Sequence, residues 1–468
     1  MTAHLTEPSR STPIADVADV VVCGAGPAGI AAAIAAARTG AKTRLLEVHG
    51  CLGGVWTAGA LSWIIEATRT GIMGEIIEAL DRRGARADGA QVNFGYDVEV
   101  MKLVLEEMVR DAGISVQLHT RVVGVDRDAT NRITTVITES KSGRQAWQGA
   151  VFIDTTGDGD VAAQAGCRFD YGHPDTGQTQ PMTLMALVTG IQLDQVHPFV
   201  AGGAWPRTGA AHNARTRFRN GRDALLYELR RSGLEPSYQG PSLWSIYDDL
   251  FALMANHEYG VSALDANAIT HATINARAEI HRLISGLRTL GGVWSQIRLV
   301  ATSAQIGVRE GRRIHGRYHI TVDDLRNGTQ HHDAVCRITS GADVHALTRA
   351  EGGFLSPTTA PLQDSATAAQ EVAPIQPYDI PLRALIARDI DGLLMAGRCI
   401  SGDFLAHASY RPTGYAVVMG QAAGTAAALA AATGALPHEL PWSKVKTAID
   451  KLAGTQHPRH AITPQPVG

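Results

Sequence analysis

DVVVCGAGPAG (Asp19–Gly29) is the stretch on which the fold turns. The apolar, mostly β-branched run Val20–Cys23 stops at Gly24, as a short buried strand does. Pro27 can open a helix. The Ala-rich segment that follows, to about Arg38, keeps small side chains on every face until Gly40 ends it. Lys42–Val48 (KTRLLEV) reads as a second strand, so one strand–helix–strand unit is complete within about 30 residues. In that setting the spacing Gly24-x-Gly26-x-x-Gly29 has a mechanism. Gly24 permits a tight turn, Gly26 lets backbone approach a pyrophosphate, and Gly29 lets the helix lie close to the strand. The helix that Pro27 opens turns the unpaired amides from Ala28 onward and a positive dipole end toward phosphates. Glu47 closes the second strand, with Val48 beside it, where a carboxylate accepts from ribose hydroxyls. A carboxylate rather than an arginine there disfavours a 2′-phosphate. The plain alternative is a glycine-rich turn in an unrelated α/β fold; agreement of spacing and context argues against it.

Working outward, residues 71–83 and 98–112 read as helices. Residues 114–118, 122–126 and 133–139 alternate with period two and look like a meander. A strand at 149–154 runs into Thr155-Thr156-Gly157-Asp158-Gly159-Asp160. From about 168 to 375 the composition shifts: 11 of the 18 histidines lie there and the periodic signals weaken. Within it, 266–290 is helical and 298–305 a strand. Strand character returns at 392–396, and 413–433 is a long helix of small residues. The expected fold class is α/β: a Rossmann-like dinucleotide-binding domain, a parallel sheet with a β-meander, plus an inserted mixed α+β substrate domain. The first domain takes 19–167 and 376–455 and the cap 168–375. Residues 1–18 form a disordered lead and 456–468 a tail.

Composition bounds the functions. With 468 residues, a net charge of −3 and a pI near 6.7, the chain lacks the basic footprint of nucleic-acid binding. Five widely spaced cysteines without a CxxC suit a reducing compartment and neither a disulfide framework nor a structural zinc site. The polar, Pro-containing first 18 residues lack the apolar core of a signal peptide, and no apolar run reaches membrane-spanning length. A cytoplasmic location is expected, with no membrane or nucleic-acid partner and room for a homo-oligomer. The run His331-His332-Asp333 reads as a solvated loop, and no metal site is expected.

Glu47 is followed by Gly50-Cys51-Leu52-Gly53-Gly54, and Val151–Gly159 (VFIDTTGDG) and Gly392–Asp403 (GLLMAGRCISGD) stand further along. With GAGPAG (24–29), VREGRRIHGRYHIT (308–321) and the AH…R…GQAAGTAAALA pattern ending at 430, these resemble the FAD-dependent oxidoreductase group distantly related to the fumarate reductase flavoproteins and glutathione reductase. The resemblance runs from one end of the chain to the other. It implies FAD as cofactor, and a site drawn from Gly24, Gly26, Pro27, Ala28, Gly29, Glu47, Val48, Gly53, Gly54 and Thr57. It adds Val122 and Val123 on the meander, Thr156, Gly157 and Asp158, and Gly397 and Arg398 on the late strand. The backbone amides of Gly414 and Tyr415, at the start of the long helix, would face the flavin pyrimidine edge.

His407 is expected in a loop facing the flavin ring, as the base that takes an O–H or N–H proton while hydride leaves for flavin N5. Its plain alternative is a hydrogen bond to cofactor or backbone. Arg411 and Tyr410 would assist by holding substrate or compensating charge. Arg309, in a basic cluster with Arg312, Arg313 and His315, would meet an anionic substrate or else belong to a salt-bridge network. Trp56 and Trp63 would wall the pocket or pack in the core. Cys51 reads as a small buried thiol, with a covalent flavin link the alternative. The expected function is oxidation of a small polar hydroxyl- or amine-bearing substrate, with oxygen or another acceptor reoxidising the flavin. No second dinucleotide fingerprint follows a strand, against a pyridine-nucleotide reductase. The alternatives are a modifying flavoenzyme of thiazole-forming or tRNA-modifying type, or a non-catalytic flavin-binding protein.

Overall fold

The computed structural model describes residues 5–67, 70–86, 93–202, 214–351, 354–355 and 376–454. The expected tail at 456–468 and the cap boundary at 375 lie outside them. Strands β1 (Ile14–Cys23), β2 (Thr43–Leu46), β3 (Ser115–Gln117), β4 (Arg121–Arg127), β5 (Ile133–Ser140), β6 (Gly143–Asp154) and a late strand form one seven-stranded sheet of order β3-β2-β1-β6-β5-β4. The late strand, Leu393–Met395, pairs with the end of β6 in parallel. Helices α1 (Pro27–Arg38), α2 (Gly71–Arg82) and α3 (Val98–Asp111) accompany this half.

Three readings change in detail. β1 starts at Ile14, inside the segment expected to be a disordered lead, because Ile14 registers with Ala146 of β6 and Asp16 pairs with Lys42 and Arg44. β3 is not part of the meander; it lies parallel to β2 at the sheet edge, and the meander is β4-β5-β6. β6 is longer than expected: Gly143–Gln148 pairs antiparallel with β5 and Ala146–Asp154 pairs in parallel with β1 on the other edge. Gly149 interrupts the apolar run, so only the second half is visible as a buried strand in the sequence.

Within the segment expected as the cap, a second, four-stranded antiparallel sheet is built from β7 (Ala186–Thr189), β8 (Ser242–Ser245), β9 (Phe251–Met254) and β10 (Arg298–Thr302), in the order β8-β9-β7-β10. Alternation decides its two faces. Ala186, Val188, Leu243, Phe251 and Leu253 point into a second core with the helix α5 (Ala266–Thr289), which follows α4 (Ala214–Arg231) in the chain. Leu187, Trp244, Ala252 and Met254 point the other way, onto the first core. That second core closes at Ile306; Ile314, Ile320, Leu325, Cys336 and Ile338 are buried with the first. His331 and Asp333 are not a solvated loop: Asp333 is buried and accepts from Arg383, and His331 lies edge-on to Tyr318.

Two late helices, α6 (Phe404–Tyr410) and α7 (Thr413–Thr433), precede a last helix at Trp442–Gly454. Among the described residues, α7 alone has the length and composition of a membrane span, and most of it is buried. Its small residues explain that burial. A Cβ at Gly420 would collide with the carbonyl of Ala28, and one at Gly424 with that of Ala32, so α7 and α1 meet backbone to backbone.

Candidate active site

Four glycine-bearing turns converge at the start of α1. Gly24 has φ +100°, and a Cβ there would collide with the Thr155 carbonyl. The Thr155 hydroxyl donates to the carbonyls of Cys23 (2.9 Å) and Gly24 (2.6 Å), tying the end of β6 to the first turn. Gly54 lies against Gly26, where a Cβ would sit 2.9 Å from the Gly26 Cα. Gly397, at φ +89°, packs on Ala28. Gly26 differs from the others, since a Cβ there meets nothing within 4 Å. Its backbone faces open space at the N-terminus of a twelve-residue helix, the cradle a pyrophosphate requires.

The remaining expected cofactor residues divide. Glu47 is buried, and its carboxylate accepts from the amides of Ala25 (2.5 Å) and His49 (2.8 Å). Val48 beside it is exposed. The Thr120 amide donates to the Glu47 carbonyl at 2.8 Å, which brings the half-buried Val122 and Val123 of β4 close to the end of β2. The Thr57 hydroxyl donates to the Leu52 carbonyl and braces the Gly53–Gly54 turn. Arg398 ion-pairs with Asp158 at 2.8 Å and also reaches the Gly157 and Val308 carbonyls. Thr156 donates to Asp154 at 2.7 Å. Asp154 also accepts from the Ala162 amide, and burial raises its pKa to about 6. These residues fit FAD: the glycine cradle, the acid at the end of β2 and the Asp154–Asp158 loop face one another.

Gly414 and Tyr415 depart from the expected role. The Gly414 amide already donates to the Ile65 carbonyl at 3.2 Å, so it is no open donor for a flavin edge. The Tyr415 hydroxyl accepts from the amides of Thr339 and Ser340, both at 3.1 Å, and contacts Glu66 at 3.3 Å. Only the Tyr415 main-chain amide, in the first turn of α7, keeps the expected character.

His407 sits on α6, not in a loop. Asp403 caps that helix by accepting from the Ala406 amide at 2.7 Å. The imidazole is fully buried, edge-on to Tyr410 at 5.5 Å, and neither ring nitrogen has a hydrogen-bond partner. Burial first, then Arg313, Arg411 and Arg398, hold its pKa well below 6.5, so it is neutral. Tyr410 does not share the expected role: its hydroxyl donates to the Ile400 carbonyl at 3.1 Å, and burial pushes its pKa up. Arg411 is bound by Asp343, through the carboxylate at 2.8 Å and the carbonyl at 2.7 Å.

The basic cluster comes apart. Arg312 pairs with Asp160, and Arg313 is buried against Glu310. Arg309 lies elsewhere, donating to the Pro181 carbonyl (2.6 Å) and the Thr183 hydroxyl (2.8 Å). Around it stand residues that sequence reasoning missed: Gln180, Tyr238, His257, Tyr259, Asp343 and His345. His257 stacks on Tyr238 with centroids 3.8 Å apart and stands edge-on to His345 at 5.0 Å. The histidine enrichment of the cap is the one sequence signal that touches this group. Trp56 is fully buried with an unpartnered indole N–H; Trp63 is half-buried, edge-on to Trp244. Cys51 is a partly buried free thiol beside Thr57.

Solved structures with similar chains include a geranylgeranyl bacteriochlorophyll reductase-like protein from Thermoplasma acidophilum (12% identity, TM-score 0.45, covering 93% of this chain and 82% of that one). A myxobacterial chondrochloren halogenase gives 12% identity and a TM-score of 0.45, covering 93% and 79%. The p-nitrophenol 4-monooxygenase of Pseudomonas putida gives 14% and 0.37, covering 65% and 70%. No curated protein matches the sequence. The family model described as FAD dependent oxidoreductase matches residues 19–449, and the chain belongs to that family.

Proposed function

We propose that the protein oxidises a small polar substrate bearing a hydroxyl or amine group, with His407 as the base. When bound, FAD supplies the hydride acceptor for the substrate C–H. The observation that carries this reading is the state of His407. An imidazole buried without a partner is costly unless something meets it, and a substrate O–H or N–H is a fitting donor. Its neutrality keeps a ring nitrogen open to accept that proton. Arg313, Arg411 and Arg398 disfavour the imidazolium, so His407 returns to its neutral, accepting form before each turnover. Arg398 also clamps the Asp158 loop on the cofactor side, linking that loop to the base.

The test is anaerobic reduction of the FAD-loaded protein with a panel of alcohols and amines, followed by loss of the flavin absorbance. A substrate that bleaches the wild type should bleach His407→Asn about 10²–10⁴-fold more slowly at equal FAD content. An unchanged rate removes His407 as base, and a protein that retains no FAD removes the reading altogether.

A further inference from the structure

Arg309 and Arg411 both grip one short segment, Gln180–Thr183. Arg411 reaches the Gln180 amide oxygen at 3.4 Å, and Arg309 holds the Pro181 carbonyl and the Thr183 hydroxyl. The carboxylate whose charge reaches both is Asp343; of the two guanidiniums it is hydrogen-bonded only to Arg411, and it also pairs with His345. Arg309 keeps its Nη1 on neutral oxygens. Its Nη2 meets only the weak acceptor Met254 Sδ at 3.9 Å, and among the described residues no oxygen accepts from its Nε–Nη2 edge. Burial and the neighbouring Arg411 lower the Arg309 pKa to about 10, the mark of a cation short of an anion.

Three further polar atoms nearby are buried without partners: Gln180 Nε2, Arg411 Nε and His257 Nε2. The first two are obligate donors, and the third can donate in one tautomer. Gln180 and His257 are 1% and 2% exposed, so bulk water does not satisfy them. Tyr238, stacked on His257, and Tyr259, whose hydroxyl meets His257 Nδ1 at 3.3 Å, add an aromatic wall. Donors without acceptors around a planar guanidinium edge call for an acceptor-rich, negatively charged group. A carboxylate matches the fork in two parallel bonds.

We propose that this cluster binds a carboxylate of the substrate, with the open edge of Arg309 as its principal contact and Gln180, Arg411 and His257 as further donors. The substrate is then a small hydroxy or amino acid, an inference that rests on the oxidation proposed above. Two cap segments, Gln180–Thr183 and Asp343–His345, join this cluster to Arg411 at the end of α6. The acid group would thus be held beside the C-terminal end of the helix that carries His407.

The site is tested by calorimetric titration of the FAD-loaded protein with acetate, malonate and benzoate. Malonamide, benzyl alcohol and inorganic phosphate are the comparisons. At least one carboxylate should bind, with its neutral counterpart and phosphate weaker. Arg309→Met should weaken carboxylate binding about ten- to a hundredfold at unchanged FAD content. If Arg309→Met melts early or loses FAD, Arg309→Lys takes its place: it keeps the charge, lacks the fork, and should bind severalfold more weakly. The proposal is overturned if no carboxylate binds at millimolar concentration, if phosphate binds more tightly than every carboxylate, or if Arg309→Met or Arg309→Lys binds as the wild type does. Intact carboxylate binding without anaerobic bleaching would instead overturn the oxidation reading and leave this site standing.

Discussion

His407 is fully buried with no protein partner at either ring nitrogen, and this has a consequence for pH. Burial and three arginines keep it neutral well below pH 6.5, so the substrate oxidation rate should not fall through a His407 titration between pH 8 and pH 6. A free imidazole would show a limb near 6.5. The measurement is the reductive rate across that range; a limb near 6.5 that disappears in His407→Asn would show an ordinary, solvated base and sink the assignment. Its place on a helix was hidden in the sequence because seven residues are too few to display a helical period, although the Asp403 cap was there to be read. Tyr410 shows the opposite failure. Its type and position suggest chemistry, yet its hydroxyl is taken by the Ile400 carbonyl, a contact that no local spacing encodes.

At the scale of elements, the glycines separate into two kinds that sequence alone treats alike. Gly26 faces open space, so Gly26→Val should leave the melting temperature of the FAD-free protein nearly unchanged while FAD retention is lost. Gly424 faces the Ala32 carbonyl, so Gly424→Ala should force α7 off α1 and cost about 1–3 kcal/mol with or without FAD. Thermal melts of the two variants, with and without cofactor, check both; an early melt of FAD-free Gly26→Val would show that this turn is structural. The first strand allows a second test. Asp16 pairs with Lys42 and Arg44, which lowers its pKa to about 2 and ties the start of β1 to β2. That tie is present above the unfolded value of 3.8 and fades as pH falls toward 2. Asp16→Asn should lose up to about 1 kcal/mol at pH 7, as a partly exposed ion pair does, and nothing near pH 2. The fingerprint, Glu47 and the Gly53–Gly54 turn were legible because each works through its own few residues. The edge position of β3 and the double pairing of β6 were not, because a strand's partner lies far away in sequence.

The whole molecule explains why the cap-side cluster escaped the sequence. Gln180, His257, Arg309, Asp343 and Arg411 come from five separated segments, and only the docking of the cap sheet on the first core brings them together. That assembly also sets the response of stability to acid. His257 and His407 are buried neutral, each with a pKa well below 6.5, and His345 is held at about 3. In the unfolded chain each takes up a proton near pH 6.5, so the folded state binds fewer protons and stability falls as pH drops below that value. Asp154 and Glu258, raised by burial to about 6 and about 7, act in the other direction, because the folded state holds their protons more tightly. Single substitution isolates one contribution from this opposition. His257→Phe keeps an aromatic ring against Tyr238 and removes the titrating group. Urea unfolding between pH 6.5 and pH 5 should then show a stability–pH slope less steep on the acid side than the wild type, by an amount that approaches about 1.4 kcal/mol per pH unit near pH 5. Parallel curves for the two proteins would mean that His257 takes up its proton in the folded state, and that the cap cluster is open to water rather than closed around a dry group of donors.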